Sequence, residues 1–526
     1  MGVDGKAGSR RLLLAMALAS GITSVPTAAI VLAIPTIHRQ FGASLTELEW
    51  TVTGYLLTYS ALLIAAGRLA DVFGRVRVLI IGTVLYMAAS VPGALAGSPV
   101  VLIVALAGVG VGAAVLTPAS LAIVTDSFRG EQRGMAVGLW GASTALFSGI
   151  GPAIGGVFTA ELSWRWILWL NVVVGALILL WVRGARESRD EQASGRIDYT
   201  GLALSFAGLA ALTLALNEAP NPWAFASAKF VVVLVGGVML LTGFFLIERR
   251  LHEPLVDVRM FARRNLSGAS IVVFVLDFAF GAVLFFIPTY LQDLLGYNAL
   301  QAGLLLLPSS VTMMIAMPIG GRLFERLGPL IPIVGGMAIA GAAMLLLGGI
   351  SSSTRYGELW PPLALLGLGI GTALTPMNLA ALNSVAARRH GSVAAIITTL
   401  GGLGSTFGVA LSGALFEAVQ TSRIVSAAAD RGVRLTAAAA RQLEGLLNGT
   451  SSSTAALARY PADQHQAVRD AVHQGFISAI DTTMKLSFAL VIVAVILALL
   501  LIRADQATVL ERPNMTEPFS GLAPRP

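Results

Sequence analysis

The sequence lacks cysteine altogether, and both histidine and charged residues are scarce. Without cysteine the chain can form no disulfide, no thiolate metal site and no cysteine nucleophile. The five histidines are scattered and do not cluster as metal ligands would, so we expect no metal and no other cofactor. Charged residues make up 12% of the 526 residues, whereas a soluble domain has about 25%. So little charge excludes an ordinary soluble protein of this length.

Long hydrophobic runs are what the sequence has instead, since 56% of its residues are hydrophobic. Runs close to the about 20 residues that an α-helix needs to cross a bilayer recur from Leu12 to Ile502. They predict an all-α polytopic membrane protein with fourteen transmembrane helices. The predicted spans lie at about 12–34, 48–67, 77–97, 101–124, 135–158, 165–182, 199–216, 229–247, 267–290, 301–320, 330–350, 360–383, 392–416 and 485–502.

The formal net charge of +7 comes from basic residues that lie in the short segments between the predicted spans. Because these residues form no single patch, we expect no nucleic-acid partner. Basic residues in short loops are retained on the cytoplasmic side during membrane insertion. Arg75, Arg77 and the segments 183–196 and 249–264 therefore predict a cytoplasmic N-terminus. An even number of spans then predicts a cytoplasmic C-terminus as well.

An internal repeat divides the chain. Segment 67–74 (GRLADVFG) reappears at 321–328 as GRLFERLG, and both copies follow a predicted span. Glycines at 108, 110 and 112 before Thr117-Pro118 likewise match those at 367, 369 and 371 before Thr375-Pro376. The copies are eight spans apart, whereas two abutting six-span halves would put them six apart. We therefore predict two six-helix bundles at 1–190 and 266–503, two inserted helices within 191–265, and a tail at 504–526.

Several segments resemble the major facilitator superfamily, and specifically its fourteen-span drug:proton antiporter family of the EmrB/QacA type. The resemblance rests on the loop motif at 67–77, GPAIGG at 151–156, SWRW at 163–166, and YLQ at 290–292 before Gly296-Tyr297. It implies a major facilitator fold in a bacterial cytoplasmic membrane, with a cavity between two bundles that opens alternately to either side. It also implies a protein that acts as a monomer.

The loop motif supplies the first group of candidate functional residues. Its glycines allow helices to approach closely, and its charged residues can make contacts that close the cytoplasmic face. In the family such contacts stabilise the outward-open state; the alternative is that these charges only enforce topology. The predicted conformational-switch residues are Gly67, Asp71, Gly74, Arg75, Arg77 and Asp126 in the first half, and Gly321, Arg322, Glu325 and Gly328 in the second.

A second group lies in the fifth predicted span and resembles the family's antiporter motif. In that motif small residues permit tight packing, and a proline bends the helix. One glycine of the family pattern is Phe147 here. Generic packing of small residues in a membrane helix is the alternative interpretation. The candidate residues are Gly138, Gly151, Pro152, Gly155 and Gly156.

Three departures from the family pattern concern proton coupling. Family members carry an Asp in the first span and an Arg in the fourth, and the positions aligned with them are Pro26 and Leu106. Val31 stands where the family has an Asn. Losing both charges together avoids leaving one buried charge unpaired, which would be strongly destabilising. The family's usual coupling pair is therefore absent from this chain.

One acidic residue, Asp277, stands near the centre of a predicted span. A carboxylate there must face the bundle interior or water, so it is a candidate for the coupling acid or for binding a cationic substrate. The alternative is a protonated side chain that is hydrogen-bonded to a neighbouring helix. Further substrate candidates, for which interface anchoring or helix packing is the alternative, are Trp50, Tyr55, Tyr59, Gln292 and Asn378.

A polar, alanine-rich segment at 418–484 follows the thirteenth predicted span. Residues 433–447 and 466–479 predict two helices, which the Gly-Thr-Ser-rich stretch at 449–453 separates. Our hypothesis is a helical hairpin that covers the outer mouth of the cavity. The alternative is a solvated connector.

Together with the resemblance, these features predict a secondary active exporter of hydrophobic or amphipathic small molecules, with protons as the expected coupling ion. A membrane enzyme would need a reactive constellation of side chains, and the sequence offers none. Three alternatives stay open: an exporter of lipids or lipid precursors, a facilitator without proton coupling, and a nontransporting membrane sensor.

Overall fold

The computed structural model describes residues 5–128, 131–189, 198–218, 227–251, 258–351, 354–385, 390–447 and 451–503. The predicted tail at 504–526 lies outside these residues, as do parts of the segments that flank the inserted helices. At a few positions, among them Asp71 and Gly138, the structure describes the helix but not the surroundings of the residue.

Long helices joined by short connections make up the described chain. The first half contains α1 (Gly5–Ile22), α2 (Val25–Phe41), α3 (Leu45–Phe73), α4 (Arg75–Ala94), α5 (Pro99–Ser127), α6 (Glu131–Val157) and α7 (Arg165–Val182). Then follow α8 (Tyr199–Glu218) and α9 (Ala228–Glu248). The second half contains α10 (Arg264–Thr289), α11 (Ala299–Leu305), α12 (Leu307–Leu327), α13 (Leu330–Gly348), α14 (Tyr356–Asn383), α15 (His390–Ala429), α16 (Ala437–Leu443), α17 (Ser451–Leu457) and α18 (His465–Leu501).

Within the described residues, 13 helical segments are long and apolar enough to cross a membrane. The predicted span at 48–67 is not among them, although it lies inside the 29-residue helix α3. The polytopic all-α fold is confirmed, and the count of fourteen spans stays a prediction. We call the face that carries Gly74 and Gly328 the inner face, because the charge pattern predicts that it is cytoplasmic, and the opposite face the outer face.

The predicted repeat is visible in matching helix pairs. Helix α3 packs along α5 in the first half, and α12 packs along α14 in the second. The Thr58 hydroxyl donates to the carbonyl oxygen of Ala107 at 2.8 Å, and the Thr312 hydroxyl donates to that of Ala364, also at 2.8 Å. Because the two pairs form the same interhelical hydrogen bond, the halves are built as copies of one arrangement.

The two inserted helices lie against the seam between the halves. Helix α8 packs on α9 and also contacts α3 of the first half and α15 of the second. Helix α9 has only 11% of its most apolar stretch buried, and Val232 and Met239 are among its exposed side chains. Lipid tails are as apolar as these side chains, so a membrane helix needs no buried apolar stripe. The inserted pair therefore covers one side of the seam and presents α9 to lipid.

The first predicted span, at 12–34, is not continuous. Helix α1 ends at Ile22 and α2 begins at Val25, with Thr23 and Ser24 in a turn between them. Pro26 is the physical reason, because proline has no N–H to donate to the carbonyl of residue 22 and its ring clashes with the preceding turn. The tenth predicted span is divided in the same way, at Leu306 before Pro308.

The outer segment differs from the prediction of a separate hairpin at 418–484. Helix α15 extends through 40 residues to Ala429, and α18 runs without a break from His465 to Leu501. The predicted helix at 466–479 and the last predicted span are therefore one helix, because residues 480–484 between them include neither glycine nor proline to end it. The short helices α16 and α17 lie between them.

Candidate functional site

A cavity of about 390 Å³ lies between the two halves. The first half contributes the turn between α1 and α2 and side chains from α2, α3 and α6, and the second half contributes side chains from α10, α14 and α15. Four of the predicted substrate candidates line this central cavity, namely Tyr55, Tyr59, Asp277 and Asn378.

The Asp277 carboxyl is the acidic group of the central cavity. It projects from α10 toward Gly401 of α15, where the absence of a side chain leaves room for it. Among the described residues the carboxyl makes no ion pair and no hydrogen bond, and only the backbone carbonyl of Asp277 accepts a bond, from the Ser405 hydroxyl at 3.4 Å. The described residues therefore do not form the alternative arrangement, in which the Asp277 carboxyl is hydrogen-bonded to a neighbouring helix.

Two tyrosines on α3 form an aromatic wall of the central cavity. The rings of Tyr55 and Tyr59 stack with centroids 6.0 Å apart and planes 9° from parallel. Their spacing of four residues puts them on one face of the helix. The Tyr59 hydroxyl lies 3.5 Å from that of Thr117. Asn378 lies across the cavity on α14 and donates to the carbonyl oxygen of Leu374 at 3.0 Å, so its amide bonds its own helix.

Tyrosine hydroxyls satisfy the carbonyls that the break in the first span leaves without helical partners. Tyr86 on α4 donates to the carbonyl oxygen of Ile22 at 3.0 Å, which is the acceptor that Pro26 cannot bond. Tyr55 donates to the carbonyl oxygen of Thr23. Pro26, which aligns with the family's Asp, thus lies at a helix break, where tyrosine hydroxyls bond backbone carbonyls and the hydroxyls of Thr23 and Thr27 bond carbonyls of their own turn.

Two predicted candidates lie away from the central cavity. The indole nitrogen of Trp50 donates to a carboxylate oxygen of Glu218 at 3.2 Å, which ties α3 to the inserted helix α8. The amide nitrogen of Gln292 donates to the carbonyl oxygen of Leu32 at 3.1 Å, which ties the second half to the first near the outer face. Trp50 and Gln292 therefore join helices to one another and do not line the central cavity.

The motif in α6 packs against both halves. Gly151 and Gly155 lie against Ala28 and Ala29 of α2, and a Cβ on Gly155 would overlap the Ala29 backbone. Gly156 lies on the backbone of α11, where an added Cβ would be 2.5 Å from the carbonyl oxygen of Ala299. This α6–α11 contact and the Gln292 bond form what we call the outer seam.

Two further positions complete that motif. Pro152 presents its carbonyl to Gly303 of α11, where an added Cβ would lie 2.5 Å from the oxygen. Phe147, which replaces a family glycine, is accommodated by a glycine elsewhere, since its ring covers Gly21 of α1. Gly138 lies in α6, but its surroundings are outside the described residues.

At the inner face, the first loop motif forms a polar joint between α3 and α4. Gly74 has φ +104°, a left-handed conformation that favours glycine, and it lies against the carboxylate of Glu187. The Arg75 guanidinium is 3.5 Å from the carboxylate of Asp126, and Gly67 packs on Pro118 of α5.

The second copy of the loop motif keeps the glycines without the ion pair. Gly328 has φ +77° and ends α12, and Gly321 packs on Thr375 of α14. Arg322 and Glu325 are exposed, and no ion pair of theirs occurs within the described residues.

Sequence reasoning missed two acidic residues. The carboxylate of Glu187 accepts hydrogen bonds of 2.9 Å from the backbone N–H groups of Val76 and of Arg77, at the positive end of the α4 dipole. Glu49, with 3% of its surface exposed, lies on α3 against Gly413 of α15. No sequence motif marks either residue, because each acts on an element that is distant along the chain.

The match to a family model decides the identity of this fold. The model described as Major Facilitator Superfamily matches residues 13–409. The chain belongs to the major facilitator superfamily. Solved structures agree with this fold: a bacterial homolog of the human lysosomal transporter Spinster, in an inward-facing and occupied conformation, has a TM-score of 0.64 at 17% identity, covering 95% of this chain and 98% of that one.

Several curated relatives of this major facilitator protein are resistance, export or multidrug transport proteins. It is 34% identical to the puromycin resistance protein pur8 of Streptomyces alboniger, over 76% of this chain and 80% of the relative. It is 26% identical to a tetracenomycin C resistance and export protein of Streptomyces glaucescens, over 94% and 91%. The multidrug transporter protein MdtP of Bacillus subtilis is 27% identical, over 80% and 77%. The chain is therefore a multi-pass transport protein rather than an enzyme.

Proposed function

We propose that this major facilitator protein exports amphipathic small molecules that carry a positive charge, and that Asp277 holds that charge and the exchanged proton in turn. The observation that carries the proposal is a carboxyl in a cavity between the two halves, without an ionic partner among the described residues. The names of its relatives, which include a puromycin resistance protein and a multidrug transporter, support export of drug-like molecules.

A single carboxylate in a cavity of low dielectric can hold a proton or an organic cation, but not both at full strength. When a cation binds at Asp277, the proton leaves the carboxyl for the water of the inner side. When the cation leaves on the outer side, a proton from that side replaces it. This exchange assigns to the second half the coupling role that the family's Asp and Arg perform in the first.

The aromatic wall favours the apolar part of such a substrate. Tyr55 and Tyr59 offer stacked rings, and Phe280 and Leu284 of α10 line the cavity on the same side as Asp277. Aromatic faces attract cations as well as apolar surface, so the wall and the carboxyl favour the same class of ligand. Directional polar contacts are few, which suits a site that accepts several shapes.

Alternating access would use the outer seam and the inner loop motif as opposite gates. The outer seam is packed backbone to backbone through Gly156 and Gly303, and we propose that this contact closes the path toward the outer face. We propose that the Arg75–Asp126 pair and Glu187 tie down the inner ends of α3, α4 and α5 when the inner gate closes. The second motif copy would contribute close helix contacts through its glycines.

We further propose that the protein works as a monomer in a bacterial cytoplasmic membrane, with both termini in the cytoplasm. The density of basic residues in the inner connections supports this orientation.

Transport by Asp277→Asn tests the central proposal. The purified protein is placed in liposomes with an imposed proton gradient, and movement of ethidium is recorded between pH 5.5 and 8.5. We expect Asp277→Asn to lose about tenfold or more of its gradient-driven transport, since the amide can neither release a proton nor neutralise a cation. Asp277→Glu should keep part of the activity.

Asp481→Asn is the matched control, because Asp481 pairs with Lys485 at 2.8 Å on α18, away from the central cavity. It should transport as the wild type does. Wild-type transport and an unchanged pH profile in Asp277→Asn would refute the role of Asp277. Absence of gradient-driven movement in the wild type, across a set of cationic and neutral amphipaths, would favour the facilitator or the sensor.

A further inference from the structure

A second cavity, of about 480 Å³, lies beyond the outer seam. The two cavities follow one another along the same helices. Val31 on α2 and Phe285 on α10 line the central cavity, and Pro35 and Thr289, one helical turn farther along each helix, line the outer one. The outer cavity is therefore the next space that a molecule would enter after passing the seam.

A series of contacting phenylalanine rings extends from the central cavity to the outer cavity. Phe285 contacts Phe286 with ring centroids 5.0 Å apart, Phe286 contacts Phe416 at 4.8 Å, and Phe416 contacts Phe476 at 5.2 Å. The first ring lines the central cavity, and the last two line the outer cavity. Aromatic rings can turn aside without losing hydrogen bonds, so this chain is a suitable apolar gate.

The outer cavity is roofed by a folded unit rather than by a solvated connector. This outer cap, residues 424–447 and 451–472, consists of the end of α15, then α16, α17 and the beginning of α18. Its described residues have a hydrophobic core of their own, in which Ile424, Ala428, Leu443 and Val472 are buried. A unit with its own core can hold a defined shape over the cavity.

Polar groups without partners face the outer cavity. Gln420 has 4% of its surface exposed, and among the described residues its amide makes no hydrogen bond. The Nε2 atom of His38 is buried and likewise has no partner among them. Buried polar atoms are nearly always hydrogen-bonded, so the His38 nitrogen indicates a ligand or water in this cavity, which the Gln420 amide also lines.

Three carboxyl groups line the outer cavity. Glu417 on α15 and Glu444 after α16 both line it, as does Asp293. The Thr421 hydroxyl donates to Glu444 at 2.8 Å. Burial, and then the negative charge of Glu417, raises the pKa of Glu444 to about 8. Two guanidinium groups also line the cavity, on the exposed side chains of Arg441 and Arg459, and the positive charge of Arg441 acts on Glu444 in the direction that lowers its pKa.

We propose that the outer cavity is a second binding site for the exported substrate, in which the cationic group lies between Glu417 and Glu444 and the apolar part lies on Phe416 and Phe476. This inference rests on the proposed function, because it takes the same class of organic cation. A cation between two carboxyls in a poorly hydrated space relieves their repulsion, and the unbonded Gln420 amide can contact a polar substituent. The transporter then passes its substrate from Asp277 to this site before release.

Equilibrium binding to the intact protein in detergent tests the second site, with radiolabelled tetraphenylphosphonium as the probe. We expect the wild type to bind two probe molecules. Asp277→Asn should bind one, the double variant Glu417→Gln with Glu444→Gln should bind one, and the triple variant should bind none. Asp430→Asn, an exposed residue of the cap, is the matched control and should bind two.

A second variant separates loss of the site from loss of folding. Ala455→Trp fills the outer cavity from an exposed position on α17 and leaves every carboxyl in place. It should also bind one probe, with the affinity of the remaining site unchanged within about twofold. Thermal unfolding of each variant confirms that the protein is intact.

Several results would overturn the second site and leave the proposed function standing. In the first, the wild type binds one probe molecule and Asp277→Asn binds none. In the second, both the double variant and Ala455→Trp still bind two probe molecules. If the wild type binds no probe at all, the proposed function fails together with this inference.

Discussion

At the scale of single residues, the first span has a helix break at Pro26 where the family has a charged side chain. Pro26 stands where the family has an Asp, and its missing N–H leaves the carbonyl of Ile22 to be satisfied by Tyr86, whose side chain has 0% exposure. An unbonded carbonyl in the membrane interior would be costly because no water is present to solvate it. The first span therefore stays polar at its centre without an ionisable side chain.

Tyr86→Phe should destabilise the protein by about 1 kcal/mol, since a buried carbonyl loses its donor. Pro26→Ala in the same background should recover most of that loss, because alanine restores the N–H that a continuous helix would donate to Ile22. Thermal unfolding of the single and double variants measures both effects. Tyr199→Phe, at an exposed tyrosine, is the control. No recovery in the double variant would contradict the account of the break.

At the scale of helices, the carboxyls of Glu417 and Glu444 make the contact between the outer cap and the transmembrane helices depend on pH. The cap joins the transmembrane part beside Glu417 on α15 and Glu444 after α16, with Arg441 also acting on Glu444. Because the folded pKa of Glu444 is about 8 and the ordinary value is 4.5, the docked cap binds a proton that the undocked cap releases. The contribution of this proton to docking of the cap is fully present below pH about 4.5. It is lost as the pH rises through about 8.

Hydrogen exchange of residues 437–446 measures this dependence. After correction for intrinsic exchange rates, we expect protection in the wild type to fall between pH 6 and pH 9, and Glu444→Gln to keep its protection across that range. The other titratable or charged groups of the outer cavity are His38, Asp293 and Arg459. Asp430→Asn should behave as the wild type does. A pH-dependent loss of equal size in Glu444→Gln would assign the effect to one of those other groups.

At the scale of the whole molecule, glycines let the backbones of the two halves meet directly. Gly156 and Gly303 allow α6 and α11 to meet backbone to backbone at the outer seam. Tight backbone contact through small residues is how membrane helices associate without a hydrophobic driving force. The antiporter-like motif is thus, in this structure, a packing surface of α6 against α2 and α11.

Gly156→Ala should open the outer seam, because its Cβ would lie 2.5 Å from the carbonyl oxygen of Ala299 and 2.9 Å from the Cα of Leu300. Gly141→Ala in the same helix is a matched control, since a Cβ there meets nothing within 4 Å. The chain has no native cysteine, so spin labels can be placed at Leu162→Cys and Leu304→Cys alone. We expect the distance between the labels to lengthen in Gly156→Ala only. An unchanged distance distribution would show that the seam tolerates the methyl group.

Part of the central cavity could be predicted from particular residues, and part could not. Asp277 was identifiable because an acidic side chain within an apolar run must face protein or water. Tyr55 and Tyr59 were also identifiable, as aromatic side chains that suit amphipathic ligands. Trp50 and Gln292 carried similar sequence signals, yet they bond Glu218 and Leu32 at interfaces between helices. Their direction depends on the rotation of each helix against its neighbours, which no apolar run encodes.

By itself, the sequence determined the membrane class, most of the spans and the internal repeat, because run length, charge placement and repeated motifs are properties of the order of residues. Only the tertiary structure decided that Tyr86 completes the break at Pro26 and that Gly21 accommodates Phe147. It also brought Glu444 beside Glu417. Each of these pairs joins residues on different helices, so which side chains meet depends on how the helices pack.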